Sequence, residues 1–90
     1  MNAIWKYDLR MERYQEIFMP SGAVILSLQI QKECPCLWVK VNTDEKMIAR
    51  KIMTYGTGHE LTDNEGNYIG SYQLTKLSLI FHVFEVLGKE

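Results

Sequence analysis

The sequence contains no apolar run that approaches the roughly 18 to 20 consecutive residues needed to cross a bilayer. Its first residues, Met-Asn-Ala-Ile-Trp-Lys, also lack the basic-then-apolar layout of a secretory signal. We therefore expect a cytoplasmic protein that has no membrane partner.

The chain also lacks an excess of charge of either sign. Its 10 basic and 11 acidic residues give a formal net charge of -1. Proteins that bind duplex nucleic acid usually neutralise phosphates with clustered Lys and Arg, so this balance argues against such a partner. A hydrophobic content of 47% in 90 residues is typical of a globular chain. We predict one domain over residues 1–90.

Patterns that would indicate a metal site or a catalytic centre are equally scarce. Cys34 and Cys36 are separated by one residue, a spacing that rarely allows a disulfide. The pair could also supply only half of the ligands of a zinc site. We expect two reduced thiols at a turn. His59, His82 and Glu85 could in principle form a two-histidine, one-carboxylate site, but their spacing matches no metal motif. We predict no catalytic residue, no metal and no cofactor, and a metal- or thiol-dependent enzyme is the unfavoured alternative.

Alternation of apolar and polar residues is the strongest pattern present. It predicts strands over residues 3–9, 15–19, 24–31, 37–42, 68–74 and 77–87. Residues 45–55 fit a helix or a strand by spacing, and the strand is favoured because the surrounding chain is β-rich. Together these segments make about seven short strands. This number predicts an all-β fold, namely a small antiparallel β-sandwich or barrel.

Three details within these strands give further expectations. Val24, Leu26, Leu28 and Ile30 would form one strongly apolar face of their strand. Gly70 lies inside a strand, which predicts a bulge or a close backbone approach. The last strand is apolar on both faces, which predicts that it lies centrally in its sheet or beneath a partner.

The stretch Tyr55-Gly56-Thr57-Gly58-His59 is the densest cluster of residues with unusual backbone or side-chain capability. Consecutive backbone N–H groups around the glycines could bind an anion, with Thr57 and His59 adding hydrogen bonds or charge. Tyr55, Gly56, Thr57, Gly58 and His59 therefore form a candidate site for a small anion or nucleotide. The favoured alternative is a turn that ends a strand and needs glycine for a positive φ.

Aromatic residues are more numerous than a thin core requires. Tyr and Trp side chains that cannot be fully buried often lie at protein interfaces. The candidates for contact with a partner are Trp5, Trp38, Tyr68 and Tyr72, and the alternative is that these rings thicken the core. The aromatic excess favours a protein-binding module, with a second copy of the chain as one candidate partner.

Seven segments together resemble one family and cover nearly the whole chain in the same order. They are Ile4–Tyr7, Met19–Ala23, Ile25–Gln29, Pro35–Trp38, Tyr55–His59, Tyr68–Leu74 and Phe81–Glu85. With these segments the chain is similar to small bacteriophage and prophage proteins built on a domain of unknown function. It departs from them at Thr75-Lys76-Leu77, where two glycines would precede the final strand.

This resemblance implies a viral accessory role and carries over no catalytic residue. Phages use many small proteins to bind host factors, so the resemblance favours a binding module. The expected function is that of a non-catalytic phage-type accessory protein that binds another protein. The alternative is binding or sequestration of a small anion or nucleotide at the Gly56–His59 turn.

Overall fold

The computed structural model describes residues 1–62 and 66–86. Seven strands form there: β1 Asn2–Asp8, β2 Tyr14–Pro20, β3 Val24–Gln31, β4 Cys34–Asn42, β5 Met47–Gly56, β6 Asn67–Leu74 and β7 Leu79–Val86. The predicted all-β fold is confirmed, and the ambiguous stretch 45–55 contains strand β5. No helix in the described ranges could span a bilayer.

The strands form two antiparallel sheets that pack as a sandwich. One has the order β1-β4-β3 and the other the order β2-β5-β7-β6. The core between them includes Leu37 and Val39 from β4, Ile52 from β5 and Val83 from β7, all fully buried. As its two apolar faces predicted, β7 lies inside its sheet, between β5 and β6.

Strand β3 departs from the simple alternation of its sequence. Ile25 pairs with Val39 but Ser27 pairs with Trp38, so Leu26 is an extra residue in a β-bulge. Ile25 packs on the core before the bulge and Leu28 after it, whereas Val24 and Leu26 are exposed. The prediction of one apolar face along this strand is wrong, because the bulge changes which alternate positions point inward.

A second bulge lies in β6, at the edge that contacts β3. Tyr68 pairs with Phe84 and Gly70 with Val83, which leaves Ile69 as the extra residue. A Cβ atom on Gly70 would lie 3.3 Å from Leu28 Cδ2. The predicted bulge beside Gly70 is therefore confirmed, and the close neighbour of Gly70 is the Leu28 side chain rather than another backbone segment.

Two of the hairpins use non-glycine residues at positive φ. Lys32 and Glu33, with φ of 53° and 62°, form a two-residue connection between β3 and β4, as a type I′ turn requires. Ser78 has a φ of 54° in the connection between β6 and β7, which contains the Thr75-Lys76-Leu77 departure. The last strand begins two residues later than predicted, and residue 87 lies outside the described ranges.

The two cysteines have different surroundings. Cys34 directly follows the β3–β4 turn, as expected, but Cys36 is fully buried within β4. Both are free thiols. Burial raises the pKa of the Cys36 thiol, so Cys36 is less reactive than an exposed cysteine. The expectation of two thiols at a turn is therefore wrong for Cys36.

Candidate functional site

The predicted turn is formed at the end of β5. Gly56 is the last residue of that strand, and its carbonyl oxygen accepts a hydrogen bond of 3.0 Å from the backbone N–H of His59. Gly58 takes the third position of this turn with a φ of 89°, a conformation that strongly favours glycine. The interpretation of Gly56–His59 as a strand-ending turn is confirmed.

The backbone of the turn is not arranged as an anion-binding nest. The N–H of Thr57 donates to the carbonyl oxygen of Ile80 at 3.3 Å, while the N–H of His59 donates within the turn. A nest needs successive N–H groups that point together at a ligand. Any anion bound here would therefore depend on side chains.

Gly56 also lets the side chain of His59 fold back onto the strand. A Cβ atom at Gly56 would lie 2.9 Å from Cε1 and 3.1 Å from Nδ1 of the His59 ring. The 2.9 Å contact is shorter than real Cβ atoms tolerate, so a larger residue at position 56 would displace the imidazole. The two glycines thus have different purposes, since Gly58 permits the turn and Gly56 provides space for His59.

His82 lies on β7, directly opposite Tyr55 of β5, and both of its ring nitrogens are hydrogen-bonded. Nε2 lies 2.8 Å from Thr57 Oγ1, and Nδ1 lies 2.7 Å from Ser71 Oγ. Ser71 Oγ is in turn 2.7 Å from the hydroxyl of Tyr68. This chain of hydrogen bonds connects the turn to β7 and β6, so His82 has a structural role in holding the turn on the sheet.

His59 and His82 line a common cavity of about 240 Å³ on the outer side of the four-stranded sheet. Its aromatic lining comes from Tyr55, Tyr68 and Phe84. The Tyr55 ring packs edge-on against Phe84 at a centroid distance of 5.8 Å. The cavity therefore brings together all five predicted ligand-binding residues, Tyr55 to His59, with His82 and one predicted partner-binding residue, Tyr68.

Glu85 does not join the two histidines. Its carboxylate forms an ion pair with the guanidinium of Arg50, in which Arg50 Nη2 donates to Glu85 Oε1 at 3.0 Å. Arg50 Nη1 also donates to the carbonyl oxygen of Ala23 at 2.9 Å. Within residues 1–62 and 66–86 no group of three or more His, Cys, Asp or Glu side chains is placed to hold a metal ion.

The four aromatic residues predicted to contact a partner do not share a surface. Tyr72 is only 6% exposed and belongs to the core, and Trp5 packs against that core from β1. Trp38 is half-buried on β4, on the outer side of the three-stranded sheet, where it pairs with Lys6. Tyr68, at 60% exposure, lies on the outer side of the four-stranded sheet.

A different set of large apolar side chains does share a surface, on the outer side of the four-stranded sheet. Cross-strand pairing places Tyr14 beside Met53, Met53 beside Phe84, and Phe84 beside Tyr68. We call this surface the aromatic face, and it comprises Tyr14, Phe18, Met53, Tyr68, Ile80 and Phe84. Tyr14 and Phe18 were missed as candidates, although alternation along β2 points both of them away from buried Gln15, Ile17 and Met19.

The outer side of the three-stranded sheet is different in character. Lys6, Asp8 and Lys40 are exposed there, and Lys6 Nζ lies 3.7 Å from the Asp8 carboxylate. Ile4 and Val24 are exposed on the same side, where both pair with Lys40. This surface therefore mixes charged and aliphatic side chains, whereas the aromatic face has a continuous row of aromatic residues and methionine.

Comparison with known proteins gives a family match that covers the whole chain. No curated protein and no solved structure matched the chain. The description of the family names no activity, ligand or partner, so none is transferred to this chain. The chain belongs to the family described as Domain of unknown function (DUF7352), whose model matches residues 1–90.

Proposed function

We propose that this chain is a non-catalytic binding module that works as a homo-oligomer, with the aromatic face as the surface between two copies. The observation that supports the proposal most strongly is the continuous row of Tyr14, Met53, Phe84 and Tyr68 across the four strands. Phe18 and Ile80 extend it and are both exposed. Aromatic residues and methionine are enriched at protein interfaces relative to the rest of a protein surface.

The size of the aromatic face supports this proposal. Four strands of about eight residues span roughly 19 by 26 Å, or roughly 500 Å² in projection. The largest apolar patch on a typical monomer covers about 300 to 600 Å² and is often functional. The aromatic face occupies only part of this projected area, because Glu16 and Lys51 lie on the same side of the sheet. It can serve as the apolar centre of an interface whose margin is polar.

The shape of the molecule gives independent support. Its principal extents are 40, 33 and 16 Å and its radius of gyration is 13.3 Å, against about 12.2 Å for a compact chain of this length. Its accessible surface is 5851 Å², against about 5,400 Å² for a monomer of this mass. A thin sandwich leaves more surface exposed than a compact monomer does, and association of two copies would cover part of it.

Charge on the aromatic face favours a second copy as the occupant. Glu16 and Lys51 face each other across β2 and β5 on this side of the sheet. In a two-fold symmetric dimer each surface meets itself, so Glu16 of one copy can approach Lys51 of the other. The face therefore presents one charge of each sign, and self-association brings no net repulsion.

We further propose that the chain is a phage-type accessory protein of the bacterial cytoplasm. The support is the resemblance of its seven segments, from Ile4–Tyr7 to Phe81–Glu85, to small phage and prophage proteins. Its near-neutral charge supports a protein as the partner rather than duplex nucleic acid.

Light scattering of the purified chain after size exclusion tests the proposed association. We expect a dimer for the wild type, and we expect Phe18→Asp to weaken the dimer at least roughly tenfold, because it places a charge in an apolar interface. The matched control is Ile4→Asp on the opposite sheet, since Ile4 is 62% and Phe18 58% exposed. A wild-type monomer at high micromolar concentration, or equal weakening by both substitutions, would contradict the proposal.

A further inference from the structure

A second cavity lies on the inner side of the four-stranded sheet, beside the β1–β2 connection and near the Gly56–His59 turn. Its volume is about 250 Å³, and its apolar lining comes from Met11, Tyr72 and Phe81. Tyr72 and Phe81 are paired across β6 and β7 with ring centroids 5.5 Å apart. Met11 belongs to the connection between β1 and β2, and its Sδ lies 4.0 Å from the Tyr72 hydroxyl. We call this the end cavity.

The rim of the end cavity carries charged and titratable side chains. Arg13 and His59 line it together with Glu12. The Glu12 carboxylate also lies 3.2 Å from Arg10 Nε, outside the cavity lining. Within residues 1–62 and 66–86, Arg13 forms no salt bridge. Its guanidinium lies 5.6 Å from the centre of the Tyr55 ring, which holds it beside the turn.

The floor of the end cavity contains an unsatisfied hydroxyl. Thr54 lines the cavity with only 9% of its surface exposed. Its Oγ1 is buried and has no hydrogen-bond partner in the described chain. Buried polar atoms of native proteins are nearly always hydrogen-bonded, so an exception requires an explanation. Because this oxygen atom is inaccessible to solvent, a molecule in the cavity would contact the other lining residues instead.

Gly56 contributes to the space in the end cavity. It lines the wall next to Thr54, and its lack of a side chain lets the His59 ring close over it. His59 therefore lines both the end cavity and the cavity on the outer side of the sheet. Two of the five residues predicted as ligand-binding, Gly56 and His59, thus border the end cavity.

We propose that the end cavity binds a small amphipathic anion, a planar apolar ring system that carries one carboxylate or phosphate group. Tyr72, Phe81 and Met11 would contact the ring, and Arg13, assisted by His59, would hold the anionic group. Ligand sites of this kind combine apolar walls with a few polar groups. A volume of about 250 Å³ limits the apolar part to one or two rings.

Binding at the end cavity would use side chains rather than the backbone of the turn. It differs in this respect from an anion nest, because the N–H groups of Thr57 and His59 in the turn already donate hydrogen bonds. The site also lies on the inner side of the four-stranded sheet, whereas the aromatic face is on its outer side. The proposal is therefore independent of self-association.

A binding experiment with four probes separates the contributions of ring and charge. Indole-3-acetate and phenyl phosphate carry both, indole lacks the charge, and inorganic phosphate lacks the ring. We expect saturable shifts of the Met11 methyl resonance with the two charged rings, and binding at least roughly tenfold weaker for indole. No saturable binding of either charged ring to the wild type, or equal binding of indole, would overturn the proposal.

Two substitutions and one control locate the site. Arg13→Gln should weaken binding of the charged rings roughly tenfold to a hundredfold, because a charge-assisted hydrogen bond is lost. Lys40→Gln is the control, since Lys40 is exposed on the three-stranded sheet and does not line the cavity. Met11→Trp should fill the cavity and abolish binding, and it is tolerable because Met11 is exposed. Unchanged affinity in both Arg13→Gln and Met11→Trp would overturn the assignment.

Discussion

Tyr72 and Tyr7 illustrate how individual side chains respond to a thin core. Tyr72 is nearly buried among core residues, and the Tyr7 hydroxyl is buried without a hydrogen-bond partner in the described chain. Burial raises the pKa of both phenols above the usual value of 10.0, and for Tyr72 the nearby Cys34 contributes a smaller part. The fold therefore favours the protonated form of both phenols.

This burial predicts a loss of stability at high pH. The unfolded chain ionises its tyrosines near the usual value of 10.0, whereas folded Tyr72 keeps its proton to higher pH. The stabilisation is complete below the unfolded-state pKa and is lost as pH rises through the folded-state pKa. We expect the urea concentration at the unfolding midpoint to decrease as the pH is raised from about 8 to about 11, and to decrease less in Tyr72→Phe. An equal fall in both proteins would contradict this account of Tyr72.

The sequence does not predict that Tyr68 and Tyr72 lie on opposite faces of β6. Simple alternation puts residues 68, 70, 72 and 74 on one face of β6. The bulge at Ile69 instead leaves Tyr68 on the outer side and turns Tyr72 into the core. Gly70 indicated a bulge, but its position relative to Tyr68 depends on pairing with β7, which is a contact between distant parts of the chain.

At the scale of elements, the connections between strands differ in how much space they leave. Gly22 lies between β2 and β3 with a φ of 80°, and a Cβ atom there would meet nothing within 4 Å. Gly66 immediately precedes β6 with a φ of 92°, and a Cβ atom there would lie 2.1 Å from the carbonyl oxygen of Glu85. Position 22 therefore needs glycine only for its positive φ. Position 66 needs glycine both for its positive φ and because a side chain would clash with Glu85.

These two glycines form a matched pair for a stability measurement. Gly22→Ala should lower the free energy of unfolding by about 1 to 2 kcal/mol, the cost of a left-handed alanine. Gly66→Ala should cost at least about 3 kcal/mol, because the strand end at Glu85 must also move. Urea unfolding of both variants measures the difference. Similar midpoints would show that β6 enters the sheet without the close approach described for Gly66.

Most strands were predictable because their alternation is uninterrupted. The inward side of β4, with Leu37, Val39 and Val41, follows directly from its sequence. Strand β3 was predictable in extent but not in orientation, since nothing in Val24–Gln31 marks Leu26 as the extra residue. A bulge arises from the packing of β3 against its neighbours, and local residue patterns do not record it.

At the scale of the whole molecule, the sandwich has two unlike outer surfaces. The three-stranded sheet carries exposed Lys6, Asp8 and Lys40, and the four-stranded sheet carries the aromatic face. The strand order β2-β5-β7-β6 creates that face by bringing Tyr14 and Tyr68 to the same side from distant parts of the chain. A general excess of aromatic residues was predictable from composition, but the members of the surface depend on strand order.

The two candidate sites differ in how far the sequence indicated them. The cluster Tyr55–His59 was visible as a sequence feature, and its main property, a turn that needs glycine, was predictable from residue type. The end cavity was not predictable, because Arg13, Thr54 and Phe81 meet only after β2, β5 and β7 have paired. Such a cavity is a property of topology rather than of any one segment.

The most direct test of the central claim is an isotope-filtered NOE experiment on a mixture of labelled and unlabelled chains. If the aromatic face joins two copies, intermolecular NOEs will connect protons of Phe18, Met53 and Ile80 to residues of the same face on the other copy. Intermolecular NOEs that involve Ile4 and the charged side of the three-stranded sheet, or no intermolecular NOEs at all, would contradict it.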